Sequence, residues 1–145
     1  MTQMELQALP CYCATLRQAA RAATALYEAV MGDSTVPLTQ FTALQVMKRS
    51  SNLTTTEIAE IIGIDQTTAT RTLAHIKKAG LARTAPAGDR RERRWVLTAA
   101  GEAAVRKLTA KWEVAQAAFE TRLGGADATA LKQAAYLAAR KLASK

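Results

Sequence analysis

The chain has 145 residues, 49% of them hydrophobic, and carries a formal net charge of +8, with a sequence pI near 9.9. That is enough apolar material for one domain with a buried core, and seven glycines, three prolines and 5% aromatics amid abundant alanine and leucine favour helices over a sandwich or barrel. The basic balance points to a polyanionic partner, whereas no apolar run approaches the about 20 residues of a membrane span and no charged-then-apolar signal opens the chain, so a cytoplasmic protein without a membrane partner is expected.

Cys11 and Cys13 lie too close together to staple distant elements, so both are expected to rest as thiols. From Tyr12 to Met31 the residues Leu16, Ala19, Ala20, Ala23, Leu26, Tyr27 and Val30 recur at helical spacing, and Gly32 ends that first helix. A second helix is predicted over Thr39 to Arg49, carrying Phe41, Leu44 and Met47. Thr54-Thr55-Thr56-Glu57 reads as a capping box opening a third helix with Ile58, Ala59, Ile61 and Ile62 on it, stopped by Gly63. Asp65 caps a fourth through Lys78, with Ala69, Leu73 and Ile76 inward and Gln66, Thr67, Thr70, Arg71 and Lys77 largely on other faces. Gly80 closes it, and Leu81 is placed for a Schellman-type contact.

Two extended stretches follow, Leu81 to Ala85 and Arg93 to Leu97, around a polar connection, which predicts a hairpin with a basic tip. Thr98 caps a long helix on which Val105, Leu108, Trp112, Ala115 and Phe119 form something close to a coiled-coil seam, a face that needs a partner. Gly124-Gly125 breaks it, and a last helix is predicted over Ala126 to Leu142. Between Arg71 and Lys107 ten cationic residues face three acids, so nearly all the positive excess sits in a quarter of the chain.

A capped helix, a three-residue turn with glycine, a second helix with a polar start and a two-stranded ribbon form the order of a winged helix-turn-helix. The fold class is therefore mainly α, with that core, a two-stranded β wing and a helical region. Thr56, Gln66, Thr67, Thr68, Thr70 and Arg71 stand where side chains meet base edges or phosphates in a major groove, and Arg71 has the fork for guanine. His75 and Lys77, later on the same helix, suit phosphate or, for His75, packing contacts. Asp89, Arg90, Arg91 and Arg93 form a wing tip suited to the negative potential of a minor groove, the alternative being a solvated hairpin.

At this point the sequence resembles the MarR family over nearly its whole length. The resemblance rests on Leu53 with Thr56-Glu57-Ile58-Ala59, on Thr70-Arg71, on Lys78-Ala79-Gly80-Leu81, on Asp89-Arg90-Arg91 and on Leu97-Thr98-Ala99-Ala100-Gly101. It implies a single domain over 1–145, with dimerisation helices at 12–32 and 98–143 and a DNA-binding lobe at 38–97. It further implies that Arg91 enters the minor groove, oriented by Asp89, and that a homodimer reads pseudo-palindromic double-stranded DNA. The implied function is a sequence-specific transcription regulator, a repressor released by thiol modification or a small-molecule effector.

For the switch, Cys11 and Cys13 sit at the start of the first helix, whose dipole favours a thiolate. Their spacing to Leu26-Tyr27 is similar to that of peroxide-sensing family members, with Tyr27 as a hydrogen-bonding tyrosine and Arg17 in place of another. Oxidation, capture of a thiophilic metal by Cys11 and Cys13, and simple burial in a dimer interface all stay open. Trp95 and Trp112 are core candidates that would otherwise line an effector cleft. No cofactor is expected. A thiol-redox enzyme using Cys-x-Cys lacks a βαβ scaffold and paired catalytic acids, and a winged RNA- or protein-binding module is the remaining alternative.

Overall fold

A computed structural model of the protein describes residues 5–32, 35–86 and 92–144. Its elements are, in order, α1 (Tyr12–Met31), α2 (Leu38–Arg49), α3 (Thr55–Ile62), α4 (Gln66–Lys78), β1 (Ala82–Pro86), β2 (Arg93–Leu97), α5 (Ala99–Leu123) and α6 (Gly125–Ala143). The chain divides into two compact units, one built from Met1–Val30 with Val114–Lys145 and the other from Met31–Glu113.

Local capping chemistry sets most boundaries in the second unit. The Thr54 hydroxyl accepts from the Glu57 amide at 3.2 Å while the Thr54 amide donates to Glu57 Oε2 at 2.7 Å, the reciprocal box predicted from the sequence. Gly63, at φ +81°, ends α3, and the Ile64 amide closes back on the Ala59 carbonyl at 3.0 Å. Asp65 opens α4 by accepting from the Thr68 amide at 2.8 Å. At the far end the Gly80 amide bonds to Lys77 and the Leu81 amide to Ile76, both Schellman bonds. Because the Leu81 amide is used there, β1 starts at Ala82 rather than at the expected Leu81.

Two of these caps give the protein an acid sensitivity. Glu57 titrates below the ordinary carboxylate range chiefly because it accepts the Thr54 amide, with the Thr54 side chain and Arg94 adding to this. Asp65 is lowered by the Thr68 amide first, then by the Thr68 hydroxyl, the Thr67 amide and Arg71. A carboxyl with a depressed folded pKa binds fewer protons folded than unfolded. Its stabilisation is therefore full above the unfolded value and is lost as pH falls through the folded one. The urea midpoint should thus fall more steeply below about pH 4 in the parent than in Glu57→Gln/Asp65→Asn, which keeps both caps uncharged. Parallel pH profiles would show that these carboxylates carry no linkage.

The lobe formed by Met31–Glu113 has one core. Ala43, Leu44 and Met47 of α2 pack with Ile58 of α3, Leu73 and Ile76 of α4, Ala82 of β1, Trp95 of β2 and Val105 of α5. The strands pair antiparallel with Ala82 opposite Leu97 and Pro86 opposite Arg93, and Leu53 adds a lone antiparallel bridge to Trp95. Asn52, at φ +64°, makes the left-handed corner that delivers Leu53 to that bridge.

Ile61 is 56% exposed, because the core face of α3 is filled by Ile58 and Ala59. One expectation needs correction. The seam on α5 is not waiting for a partner along its length: Val105, Leu108 and Ala115 are buried within the chain itself. The exposed large apolar residues lie mainly on α1 and α6 and before α1, including Leu9, Tyr12, Leu16, Leu131, Tyr136 and Leu142. In the unit that holds those helices, the buried residues among those described are Ala115 and Ala128.

Candidate nucleic-acid interface

α3, the turn at Gly63, Ile64 and Asp65, and α4 form the helix-turn-helix, with β1 and β2 following as the wing. Burial of Ala69, Leu73 and Ile76 turns the opposite side of α4 outward, where Gln66, Thr67, Thr70, Arg71 and Ala74 line a shallow surface concavity. The two threonines predicted with them are partly committed inside the helix. Thr68 donates its hydroxyl to Asp65 Oδ2 at 3.0 Å and Thr70 donates to the Gln66 carbonyl at 2.9 Å, which leaves oxygen lone pairs and methyls to face outward. Gln66, Thr67 and Arg71 are exposed, so their donors are available for base edges or phosphates. Thr56 is exposed on the first turn of α3, and His75 and Lys77 are exposed near the end of α4.

Arg93 is exposed at the start of β2, whereas Asp89, Arg90 and Arg91 lie outside the described residues. Arg94 takes a different role. It donates to the Asn52 carbonyl at 2.8 Å and to Glu92 at 3.1 Å and stands 3.8 Å from Glu57, so this cation fastens the wing to the cap of α3. Trp95 adds a bond from Nε1 to Thr55 Oγ1 at 2.9 Å. Sequence reasoning missed Arg94 within its run of arginines. The alternation along β2 was the available signal, since it puts Arg94 on the face opposite Trp95 and Arg93.

The thiols belong to the other unit, and both are exposed. Cys11 Sγ accepts from the Ala14 amide at 3.5 Å and Arg17 donates to Cys13 Sγ at 3.7 Å. Tyr27 does not join them within the chain. It lies fourteen residues beyond Cys13 on α1, about 21 Å along the axis, and its hydroxyl donates to Gln116 while its ring packs at 6.3 Å from Phe119. Burial raises the Tyr27 pKa, and Glu120 adds to the effect. No group of three or more metal-ligating side chains occurs among the described residues.

Inside the winged lobe a crevice of about 500 Å³ is lined by Val36, Leu81, Ala104 and Leu108 together with Gln40, Lys107 and Lys111. Neither tryptophan lines it. Trp95 is in the core and Trp112 is half-buried. No helix among the described residues is long and apolar enough to cross a membrane.

Comparison with known proteins agrees with this geometry. The family model described as MarR family matches residues 34–92, which takes in α2, α3, α4 and β1 and ends just short of β2. The crystal structure of the transcriptional regulator MosR of M. tuberculosis is similar at TM-score 0.72 and 36% identity, covering 88% of this chain and 97% of that one. The chain belongs to the MarR family. A MosR structure in complex with DNA is similar at TM-score 0.71 and 35% identity over 88% of this chain and 98% of that one. The transcriptional regulator PA4135 shares the fold at TM-score 0.82 and 20% identity, covering 94% of this chain and 100% of its own. Among curated proteins no sequence matches. In MarR-family terms α4 is the recognition helix and the β1–β2 ribbon the wing, so the mainly helical winged fold expected from the sequence is the fold observed.

Proposed function

We propose that this MarR-family protein is a homodimeric transcription regulator that binds duplex DNA in the cytoplasm, a repressor rather than an enzyme. The observation that carries this reading is the exposed face of α4, where Gln66, Thr67 and Arg71 keep their donors free on a helix of groove-fitting width. The MosR–DNA complex, from a relative sharing a third of its residues, supports it. The second copy is supported by the apolar residues left open on α1 and α6 beside a unit whose buried residues are alanines.

The test begins by letting the protein select its own duplex from a random library. A palindromic duplex should emerge, bound by a species of twice the 15.6 kDa chain mass, with affinity falling as salt rises at a slope of about −0.9 per phosphate neutralised. Arg91→Ala should weaken that binding clearly, and unchanged affinity would remove the minor-groove role. Failure to enrich any duplex, or equal affinity for RNA, would overturn the reading.

Release is assigned to two inputs. The exposed Cys13 beside Arg17 offers an oxidation site: its sulfur attacks the outer oxygen of a hydroperoxide, the O–O bond breaks, the alcohol leaves with the thiol proton, and Cys13 becomes a sulfenic acid. Mild peroxide should release DNA from the parent and not from Cys13→Ser; equal release counts against Cys13. The crevice beside Lys107 and Lys111 is the second input, suited to a small amphipathic effector.

A further inference from the structure

Thr98 makes more bonds than a helix cap requires. Its hydroxyl accepts from the Gly101 amide at 3.1 Å, which caps α5, and also donates to the Gly80 carbonyl at 2.6 Å. Its own amide donates to the Leu81 carbonyl at 3.1 Å. Gly80 and Leu81 are the two residues whose amides close α4, so a single threonine joins the last turn of one helix to the first turn of the other. Capping needs only the acceptor oxygen. The hydroxyl proton is spent on α4.

Gly101 closes the same joint sterically. It is buried, and a Cβ there would stand 1.9 Å from the Leu81 oxygen and 2.9 Å from the Leu81 carbonyl carbon. Both are backbone atoms fixed by the α4 exit, so no side-chain adjustment relieves the contact. In a mid-turn helical position alanine is otherwise the better residue. The glycine therefore serves the approach of α5 to α4 rather than the helix that contains it.

We propose that Thr98 and Gly101 are positioning residues for the recognition helix: they clamp the exit of α4 to the start of α5, so that α5 sets the angle at which Gln66, Thr67 and Arg71 meet the groove. α5 continues past Glu113 from the lobe into the unit that holds α1 and α6, so the clamp ties the DNA-reading face to an element that both units share. Base readout tolerates displacements of only about 0.5 Å. A loosened clamp should therefore lose specific binding before it loses the fold or the general attraction to phosphate.

This inference rests on the DNA-binding reading, and the experiment separates the two. The full-length parent, Thr98→Ser, Thr98→Asp and Gly101→Ala are compared for thermal unfolding and for affinity toward the duplex selected by the parent and a scrambled duplex of equal length, at several salt concentrations. Serine keeps both hydroxyl bonds and should match the parent. Aspartate keeps the cap but has no proton for Gly80, and alanine at 101 pushes the Leu81 carbonyl away from α5. In each variant that stays folded at the assay temperature the selected-to-scrambled affinity ratio should drop about tenfold. Taking that ratio at each salt concentration cancels the plain charge effect of the aspartate. An unchanged ratio in Thr98→Asp and Gly101→Ala, with any change confined to the melting temperature, overturns the clamp as a positioning device. Should Gly101→Ala fail to fold, Thr98→Asp decides. A parent that selects no duplex overturns the DNA-binding reading and the inference with it, whereas a selective parent with equally selective variants overturns the inference alone.

Discussion

Replacing Arg71 by alanine should weaken binding to the selected duplex by about fivefold to a hundredfold, the range for losing one good bidentate base contact. Arg71 is exposed on the second turn of α4, beside Thr67 and Thr70, and Asp65 is close enough to feel its charge. The guanidinium has a rigid fork that matches the two acceptors of guanine, whereas an ammonium has only charge. Arg71→Lys should therefore recover little if the contact reads a base and much if it holds a phosphate. Duplexes substituted at one base pair at a time distinguish these. A base contact predicts that Arg71→Ala relaxes selectivity at one position per half-site. Uniform weakening, with a salt slope reduced by about one, would make Arg71 a phosphate contact instead.

The largest effect on stability is expected at Trp95. The residue is 7% exposed and belongs to the cluster that joins α2, α3, α4, α5 and both strands. Its backbone donates to the Leu53 carbonyl at 2.8 Å and accepts from the Asn52 amide at 3.2 Å, and its indole donates to Thr55. Trp95→Ala keeps the backbone bonds but empties the core, and should destabilise the fold by about 3–5 kcal/mol in urea or thermal unfolding. Trp95→Phe retains most of the apolar volume and leaves the Thr55 hydroxyl without its donor. It should cost about 1 kcal/mol, in the range of a single neutral hydrogen bond. Similar losses in the two variants would mean that the hydrogen bond, rather than the packing, holds the wing to α3.

The helix termini were legible in the sequence because their causes are local. Thr54 and Glu57, Gly63, Asp65 and Gly80 each act within five residues, and the observed elements start and stop at them. The outward residues of α4 were legible for the same reason: once Ala69, Leu73 and Ile76 define the buried stripe, Gln66, Thr67 and Arg71 have only solvent to face. What the sequence hid is what depends on distant partners. Arg94 meets the Asn52 carbonyl across 42 positions, and the Leu53 bridge to Trp95 is a pairing that a single apolar residue after a polar turn does not announce. The pattern on α5 showed that Val105, Leu108 and Ala115 would be covered, but periodicity is blind to whether the cover comes from the same chain. Cys13 and Tyr27 share a helix, and the likeness to peroxide-sensing family members implied a joint role; within one chain the helical rise sets them four turns apart.

The thin interior of the unit carrying α1 and α6 links this regulator to its own abundance. Its buried residues among those described are Ala115 and Ala128, while Tyr12, Leu131 and Tyr136 remain open. If a second copy supplies the missing cover, folding and assembly become one equilibrium, and the melting temperature rises with protein concentration. Newly made chains would then be exposed to proteolysis until they meet. Cellular dose would then act on this regulator through survival of the protein rather than through its grip on DNA.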